Sequence, residues 1–245
     1  MTKKLIVGSV PVGGGTPVTI QSMCNTKTDQ VDATVAQIHA LEAAGCEIIR
    51  IAVPDEAAAM AVDRIKEQIT IPLIADIHFN YKLAIMCAER GIDALRINPG
   101  NIGGEERVKA VAEACRRKRI PIRIGVNGGS LEKSLRAKYG GVTAEALVES
   151  AMGHVKLLNR YDFDDICISV KCSDVPLTMR SYTLLSQQTD YPLHLGVTEA
   201  GTPAMGMIKS AMGIKSIRVR PQVGQAIRLT PSLRSPAARS ILCAA

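Results

Sequence analysis

Four basic residues stand inside runs that are otherwise apolar, and they are the first candidates for chemistry. They are Arg50 in IIRIAV, Arg96 in LRINP, Arg123 in IPIRIGVN and Lys171 in ISVK. Burying an unpaired charge is costly, so each cation needs an acidic neighbour or an anionic ligand. Salt bridges to Asp76, Asp93 or Glu199 would explain any single cation. Four cations at one place instead predict a diphosphate or polyanion site, because guanidinium groups match phosphate oxygens.

Two glycine-rich segments follow two of these cations directly. Residues 98–107 read NPGNIGGEER after Arg96, and residues 125–135 read GVNGGSLEKSL after Arg123. Backbone N–H groups at the start of a helix can bind phosphate. An ordinary turn capped by Ser130 is the alternative, and the position of both segments next to an arginine favours anion binding.

Acid–base candidates stand at two other predicted strand ends. Asp76 and His78 alternate in ADIHF and therefore share one face of a strand, and Glu199 ends GVTE. With a cationic pocket opposite, these three become candidates for proton transfer or for binding substrate hydroxyls. A structural Asp–His pair is the alternative. We expect the remaining histidines to be structural: His39, His154 and His194.

The elements that must position these residues repeat as strand then helix. Short apolar runs rich in β-branched residues begin at 17, 47, 72, 94, 121, 165 and 192, with helix-period segments between them. Seven repeats predict an α/β TIM (β/α)8 barrel with a defective or incomplete eighth unit, and a doubly wound open sheet is the alternative. The only candidate for the eighth strand is residues 217–219. Barrel strands end at one mouth, which would bring the candidate residues together.

Charge divides the chain unevenly. The net charge is +7, but residues 214–245 hold six basic and no acidic side chains, so residues 1–213 carry only +1. We therefore predict a barrel over residues 1–213 and a basic disordered tail over 214–245. Because the barrel is almost neutral, we predict that it binds neither nucleic acid nor membranes. Seven cysteines without a Cys-x-x-Cys spacing predict a reducing, cytoplasmic location and no metal ligand in this chain.

Six longer runs carry a resemblance to one family. They are QSMCNT from 21, IPLIADIHFNYKLA from 71, LRINPGNIGGEER from 95, IPIRIGVNGGSLEK from 120, ALVESAMGHV from 146 and PLHLGVTEAG from 192. These runs closely resemble the 4-hydroxy-3-methylbut-2-enyl diphosphate synthases, oxidoreductases of isoprenoid (terpenoid) biosynthesis by the methylerythritol phosphate pathway. The resemblance implies reductive dehydration and ring opening of 2-C-methyl-D-erythritol 2,4-cyclodiphosphate, with electrons passing from ferredoxin or flavodoxin through a 4Fe-4S cluster.

The resemblance also implies roles for single residues. One group would bind the substrate diphosphate: Arg50, Arg96, Arg123, Asn127 and Lys171. A second group would surround the substrate hydroxyls: Asp76, His78, Thr198 and Glu199. Within that second group, Glu199 is the candidate for proton delivery during dehydration.

The chain departs from the family pattern at AMGIKS, residues 211–216. The basic tail follows, in place of the family's Gly-Ile-Gly-Asp turn and its second domain, and Cys243 lacks the Cys-Pro-x-Cys setting of the cluster ligands. We expect a truncated or frameshifted member without the iron–sulfur domain, one that binds diphosphate without turnover and whose family homodimer is in doubt. Two alternatives are a non-catalytic diphosphate-binding barrel and a barrel like the pterin-binding synthases.

Overall fold

A parallel eight-stranded sheet forms the centre of the computed structural model, which describes residues 2–197, 201–218 and 226–228. A two-stranded hairpin, β1 (Lys4–Val7) and β2 (Val10–Gly13), precedes it. The sheet strands are β3 (Thr19–Met23), β4 (Ile48–Ala52), β5 (Leu73–Asp76), β6 (Ala94–Ile97), β7 (Ile122–Asn127), β8 (Ile166–Lys171), β9 (His194–Leu195) and β10 (Ala226–Arg228). All seven predicted strands are present, because a strand that is covered on both faces appears as a continuous apolar run.

The sheet closes on itself. Strands β3 to β8 pair in chain order, β10 lies between β3 and β9, and a bridge from Ile168 to Leu193 joins β8 to β9. This closure confirms the predicted TIM barrel and excludes the open sheet. Within the described residues, the eighth unit consists of the three-residue strand β10.

The sequence-based candidate for the eighth strand was wrong. Ile217 and Arg218 continue the helix that begins at Pro203, and Val219 lies outside the described residues. Ile217 instead prolongs the helical segment, because context decides between helix and strand for short apolar runs. The predicted division of the chain at residue 213 falls inside this helix and stays a prediction.

The described residues form ten α-helices, which connect the strands of the barrel. They are α1 (Val31–Ala43), α2 (Glu56–Met60), α3 (Val62–Lys66), α4 (Tyr81–Glu89), α5 (Pro99–Ile102), α6 (Glu105–Lys118), α7 (Lys133–Tyr139), α8 (Ala144–Asn159), α9 (Val175–Gln188) and α10 (Pro203–Arg218). Side chains that accept a backbone N–H start several of them, as Thr143 does for α8 and Asp174 for α9. Among these helices we find no candidate for a transmembrane span.

The hairpin packs against one end of the barrel. Val7 and Val12 of the hairpin join Ile48, Ile74 and Ala94 of the barrel wall in one buried apolar cluster. The sequence analysis did not predict this hairpin. It covers the end at which the strands begin, so the end at which they finish is the mouth.

One tyrosine reinforces the contact between β8 and β9. Tyr182 of α9 is fully buried, and its hydroxyl donates to the carbonyl of His194 and accepts from the N–H of Val170 at 3.3 Å. We expect Tyr182→Phe to lower the free energy of unfolding by about 1–3 kcal/mol, because both backbone groups lose a buried partner. Urea unfolding measures this.

The matched control is Tyr139→Phe, whose hydroxyl donates to the exposed Glu149. We expect a change within about 0.5 kcal/mol for this surface position. Equal losses in the two variants would contradict the importance of the buried hydroxyl.

Candidate functional site

Asp76 is the centre of a buried ion-pair group at the mouth. Its Oδ1 lies 3.0 Å from Nη1 of Arg96, and its Oδ2 lies 3.4 Å from Nη1 of Arg50. Only 2% of Asp76, 4% of Arg50 and 7% of Arg96 is exposed. The two arginines come from β4 and β6, the neighbours of β5 on either side. The strand order therefore places one carboxylate between two guanidinium groups.

The surrounding charge keeps Asp76 ionised. Burial by itself raises the pKa of Asp76, but the positive charges of Arg50, Arg96 and Arg123 outweigh it and lower the pKa to about 2. A carboxylate with this pKa holds no proton to donate near neutral pH. The geometry therefore favours Asp76 as the group that holds the arginines, and its predicted catalytic role stays a prediction.

The position of the Arg96 side chain requires a glycine at residue 125 of the neighbouring strand β7. Its Nη2 donates to the carbonyl of Gly125 at 3.1 Å, so the guanidinium lies against the β7 backbone. A Cβ at Gly125 would stand 2.6 Å from Nη2 and 2.8 Å from Cζ of Arg96. The sequence analysis missed this role of Gly125. A glycine inside the run IPIRIGVN was the available signal, because glycine within a strand often marks a close approach.

The other predicted binding residues line the same inner wall. Arg123 stands opposite Arg96 across the β6–β7 pair, and its Nη1 donates to Oγ of Ser169 at 3.4 Å. Asn127 pairs with Lys171 across β7 and β8, two inward positions nearer the mouth than Arg123. Both Arg123 and Lys171 are buried. The structure thus brings together all five residues predicted to bind diphosphate.

The remaining predicted residues are placed less completely. His78 is exposed just beyond the end of β5, with its ring centroid 6.1 Å from that of Phe79. His78 adds weakly to the positive charge that lowers the pKa of Asp76. Thr198 and Glu199 lie outside the described residues, so their predicted roles stay predictions.

The two glycine-rich turns meet at the mouth. Asn98 is buried at the end of β6, where its Oδ1 accepts from the N–H of Gly100 at 3.2 Å and its Nδ2 lies 3.5 Å from Oγ of Ser130. Ser130 ends a short 3-10 turn, Gly128–Ser130, and donates to the carbonyl of Asn127 at 3.3 Å. Side-chain contacts therefore connect the turn after β6 to the turn after β7.

The described cysteines do not fit the 4Fe-4S cluster that the family resemblance implies. Burial raises the pKa of five of them to about 11 or 12: Cys24, Cys46, Cys87, Cys115 and Cys167. Cys172 is half-buried and contacts the Asp174 carbonyl. Within the described ranges, no group of three or more His, Cys, Asp or Glu could hold a metal ion. Cys243 lies outside them.

Comparison with known proteins matches the chain to one family and to named relatives. The GcpE TIM-barrel domain matches residues 2–244. A 4-hydroxy-3-methylbut-2-en-1-yl diphosphate synthase (flavodoxin) of Geobacter sulfurreducens is 57% identical over 229 residues, which cover 94% of this chain and 65% of that protein. The protein of the same name from Idiomarina loihiensis is 58% identical over 213 residues, covering 87% and 57%. The chain therefore spans less than two thirds of the length of these relatives.

Solved structures resemble the barrel at low sequence identity. A dihydropteroate synthase of Yersinia pestis has a TM-score of 0.71 at 13% identity, covering 100% of this chain and 98% of that chain. A dihydropteroate synthase of Xanthomonas albilineans has a TM-score of 0.67 at 15% identity, covering 98% and 97%. At these identities the likeness shows the fold alone.

Removal of the Asp76 charge should destabilise the barrel in a pH-dependent way. We expect Asp76→Asn to lower the free energy of unfolding at pH 7 by roughly 3–5 kcal/mol, because two guanidinium groups stay buried without their counter-charge. A carboxyl with a lowered pKa stabilises fully above its unfolded pKa of about 3.9 and loses that contribution as pH falls toward its folded pKa. The difference in the free energy of unfolding between the unmodified chain and Asp76→Asn should therefore become smaller below about pH 5.

Urea unfolding at several pH values measures this difference. The control is Asp63→Asn, which breaks a partly exposed pair with Arg90 and should cost less than about 1 kcal/mol. A difference for Asp76→Asn that is small at pH 7, or that does not change with pH, would contradict the prediction.

A methyl group at Gly125 should displace Arg96. We expect Gly125→Ala to lower the free energy of unfolding by about 1–3 kcal/mol through overpacking and to separate Arg96 from Asp76 in a crystal structure. The control is Gly153→Ala on α8, where an added Cβ meets nothing within 4 Å. That exposed helix position should instead gain up to about 1 kcal/mol. A Gly125→Ala structure with the Arg96–Asp76 contact intact would refute the steric argument.

Proposed function

This chain belongs to the family of the GcpE TIM-barrel domain, and on that premise we propose that its barrel mouth binds the diphosphate of a cyclic diphosphate substrate. One observation carries the proposal: buried cations converge on the inner faces of neighbouring strands. Arg50, Arg96, Arg123 and Lys171 stand on β4, β6, β7 and β8, and all four are buried. Within strands β4 to β8, which the structure describes in full, Asp76 is the only acidic residue.

The arrangement suits a diphosphate better than a single small anion. Arg96 and Arg123 lie at one level of the barrel, and Asn127 and Lys171 lie nearer the mouth. Two levels of donors along the strands can hold two linked phosphate groups, and guanidinium groups donate to phosphate oxygens in pairs.

We propose 2-C-methyl-D-erythritol 2,4-cyclodiphosphate as that substrate. The six sequence runs that resemble the synthases support this choice, and so do relatives named 4-hydroxy-3-methylbut-2-en-1-yl diphosphate synthase (flavodoxin). The whole protein would open the ring reductively with loss of water and release 4-hydroxy-3-methylbut-2-enyl diphosphate. The residues of this barrel would bind and orient the substrate. We place His78 and Thr198 at its hydroxyls and Glu199 as the proton donor for the lost water.

The redox part of the reaction involves groups beyond the barrel wall. In the whole protein, a 4Fe-4S cluster would pass electrons from flavodoxin or ferredoxin to the substrate. We expect that whole protein to be a homodimer. The sequence holds no Cys-Pro-x-Cys motif, and the described residues do not fit the cluster. We therefore expect these 245 residues to bind the substrate without turnover. The six described cysteines are free thiols, which supports a cytoplasmic location.

Calorimetry with the cyclic diphosphate tests the proposal. The unmodified chain should bind, and the double variant Arg96→Ala/Arg123→Ala should bind at least about tenfold more weakly, because each charge-assisted hydrogen bond contributes roughly 1.5–3 kcal/mol. The single variant Asn127→Ala leaves the buried arginines in place and should also weaken binding. The matched control is Arg116→Ala/Arg117→Ala, two exposed arginines in the last turn of α6.

The outcomes separate the alternatives. No heat with the unmodified chain, or equal affinity in the Arg96/Arg123 double variant, would refute diphosphate binding at the mouth. Binding of a pterin in its place would favour a synthase of that other class. Product formed by this chain with a chemical reductant would contradict the expected lack of turnover.

A further inference from the structure

Glu132 connects the second glycine-rich turn to the outer helix α8. Its Oε1 accepts from Oγ of Ser150 at 2.9 Å and lies 3.1 Å from Nε2 of His154. Ser150 and His154 are one helical turn apart on α8 and are both buried. Two side chains of α8 therefore contact a single carboxylate oxygen of Glu132. Glu132 itself follows the turn Gly128–Ser130 by two residues.

His154 also contacts the first glycine-rich turn. A Cβ at Gly100 would lie 3.3 Å from Cε1 and 3.5 Å from Nε2 of His154, so the backbone of α5 packs against the imidazole ring. Asn98 begins this turn and reaches across to Ser130. The imidazole of His154 thus lies between the turn after β6 and the carboxylate that follows β7.

We propose that Glu132 and His154 are positioning residues, which hold both turns at the spacing that a bound diphosphate requires. This inference rests on the proposed function. Neither residue belongs to the barrel strands, so the pair acts through Asn98 and Asn127 and through the backbone N–H groups of the turns. Displacements of about 1 Å in binding groups cost much of their effect, so a fixed spacing matters.

The surrounding contacts support a fixed pair. The neighbouring imidazole of His154 and, to a smaller extent, the bond from Ser150 lower the pKa of Glu132 to about 2, against the opposing effect of partial burial. Arg136 donates to the carbonyls of Gly128 and Gly129 at 2.7 and 3.1 Å, which anchors the same turn from α7. The alternative is an ordinary loop-to-helix ion pair that contributes to stability only.

The test uses Glu132→Gln, His154→Gln and the double variant in the full chain. Glutamine keeps the size of Glu132 and its bond with Ser150, so the fold should persist. In the free protein, we expect backbone amide hydrogen exchange to quicken at least about tenfold in residues 99–104 and 127–132, with strands β5 and β6 unchanged. Affinity for the cyclic diphosphate should fall about tenfold in each single variant, and no further in the double variant, because the pair acts as a unit.

The control is Glu145→Gln. Glu145 lies on α8, as His154 does, and its ion pair with Arg180 of α9 is at the surface. This variant should change neither exchange in the turns nor affinity. Unchanged exchange in the turns, full affinity in the variants, or faster exchange spread evenly over the barrel strands would each overturn the inference. If the unmodified chain binds no diphosphate, the proposed function fails, and hydrogen exchange in the free protein still decides whether the pair holds the turns.

Discussion

The architecture depends on the neutralisation of buried positive charge by Asp76. Arg50 and Arg96 are both almost fully buried, and each contacts a different oxygen of that one carboxylate. The arrangement requires β5 to lie between β4 and β6 in a register that places Asp76 opposite Ala52 and Arg96. A slip by one residue would turn these side chains toward the helices. The ion pairs beside the proposed anion site therefore also specify how three strands assemble.

One end of the barrel is an apolar packing surface, and the other end carries the charged residues of the proposed binding site. Ile48 and Ile74 form an apolar floor with the hairpin, and one step along the strands Arg50 and Asp76 begin the charged region. Both ion pairs are themselves almost fully buried, which strengthens the electrostatic interaction within them. Residues 1–213 carry a net charge of only +1, so the mouth is positive because of where its cations stand.

The sequence predicted the seven main strands and the residues of the inner wall, because both follow from local pattern and from one rule of barrel geometry. Other features depend on distances that no local pattern contains. The sequence is compatible both with Asp76 as an acid–base group and with Asp76 as an ion-pair partner. Only its contacts with two arginines favour the ion-pair role. Gly125 matters because of where the Arg96 side chain lies, and Glu132 meets His154 from a different element. The strand Ala226–Arg228 has three residues, too few for a periodic signal.

The comparison with dihydropteroate synthases shows why the argument for function must come from side chains. Those proteins share the barrel at 13–15% identity, so the path of the backbone alone does not distinguish them from this chain. The proposed function of this chain therefore rests on the groups of its inner wall and of its two turns. Buried arginines, a lysine and asparagines at the mouth suit the proposed ligand, an anion of high charge density. Asp76 and Gly125 set where Arg50 and Arg96 stand. The family assignment and the electrostatics of the mouth therefore support the same proposed class of ligand.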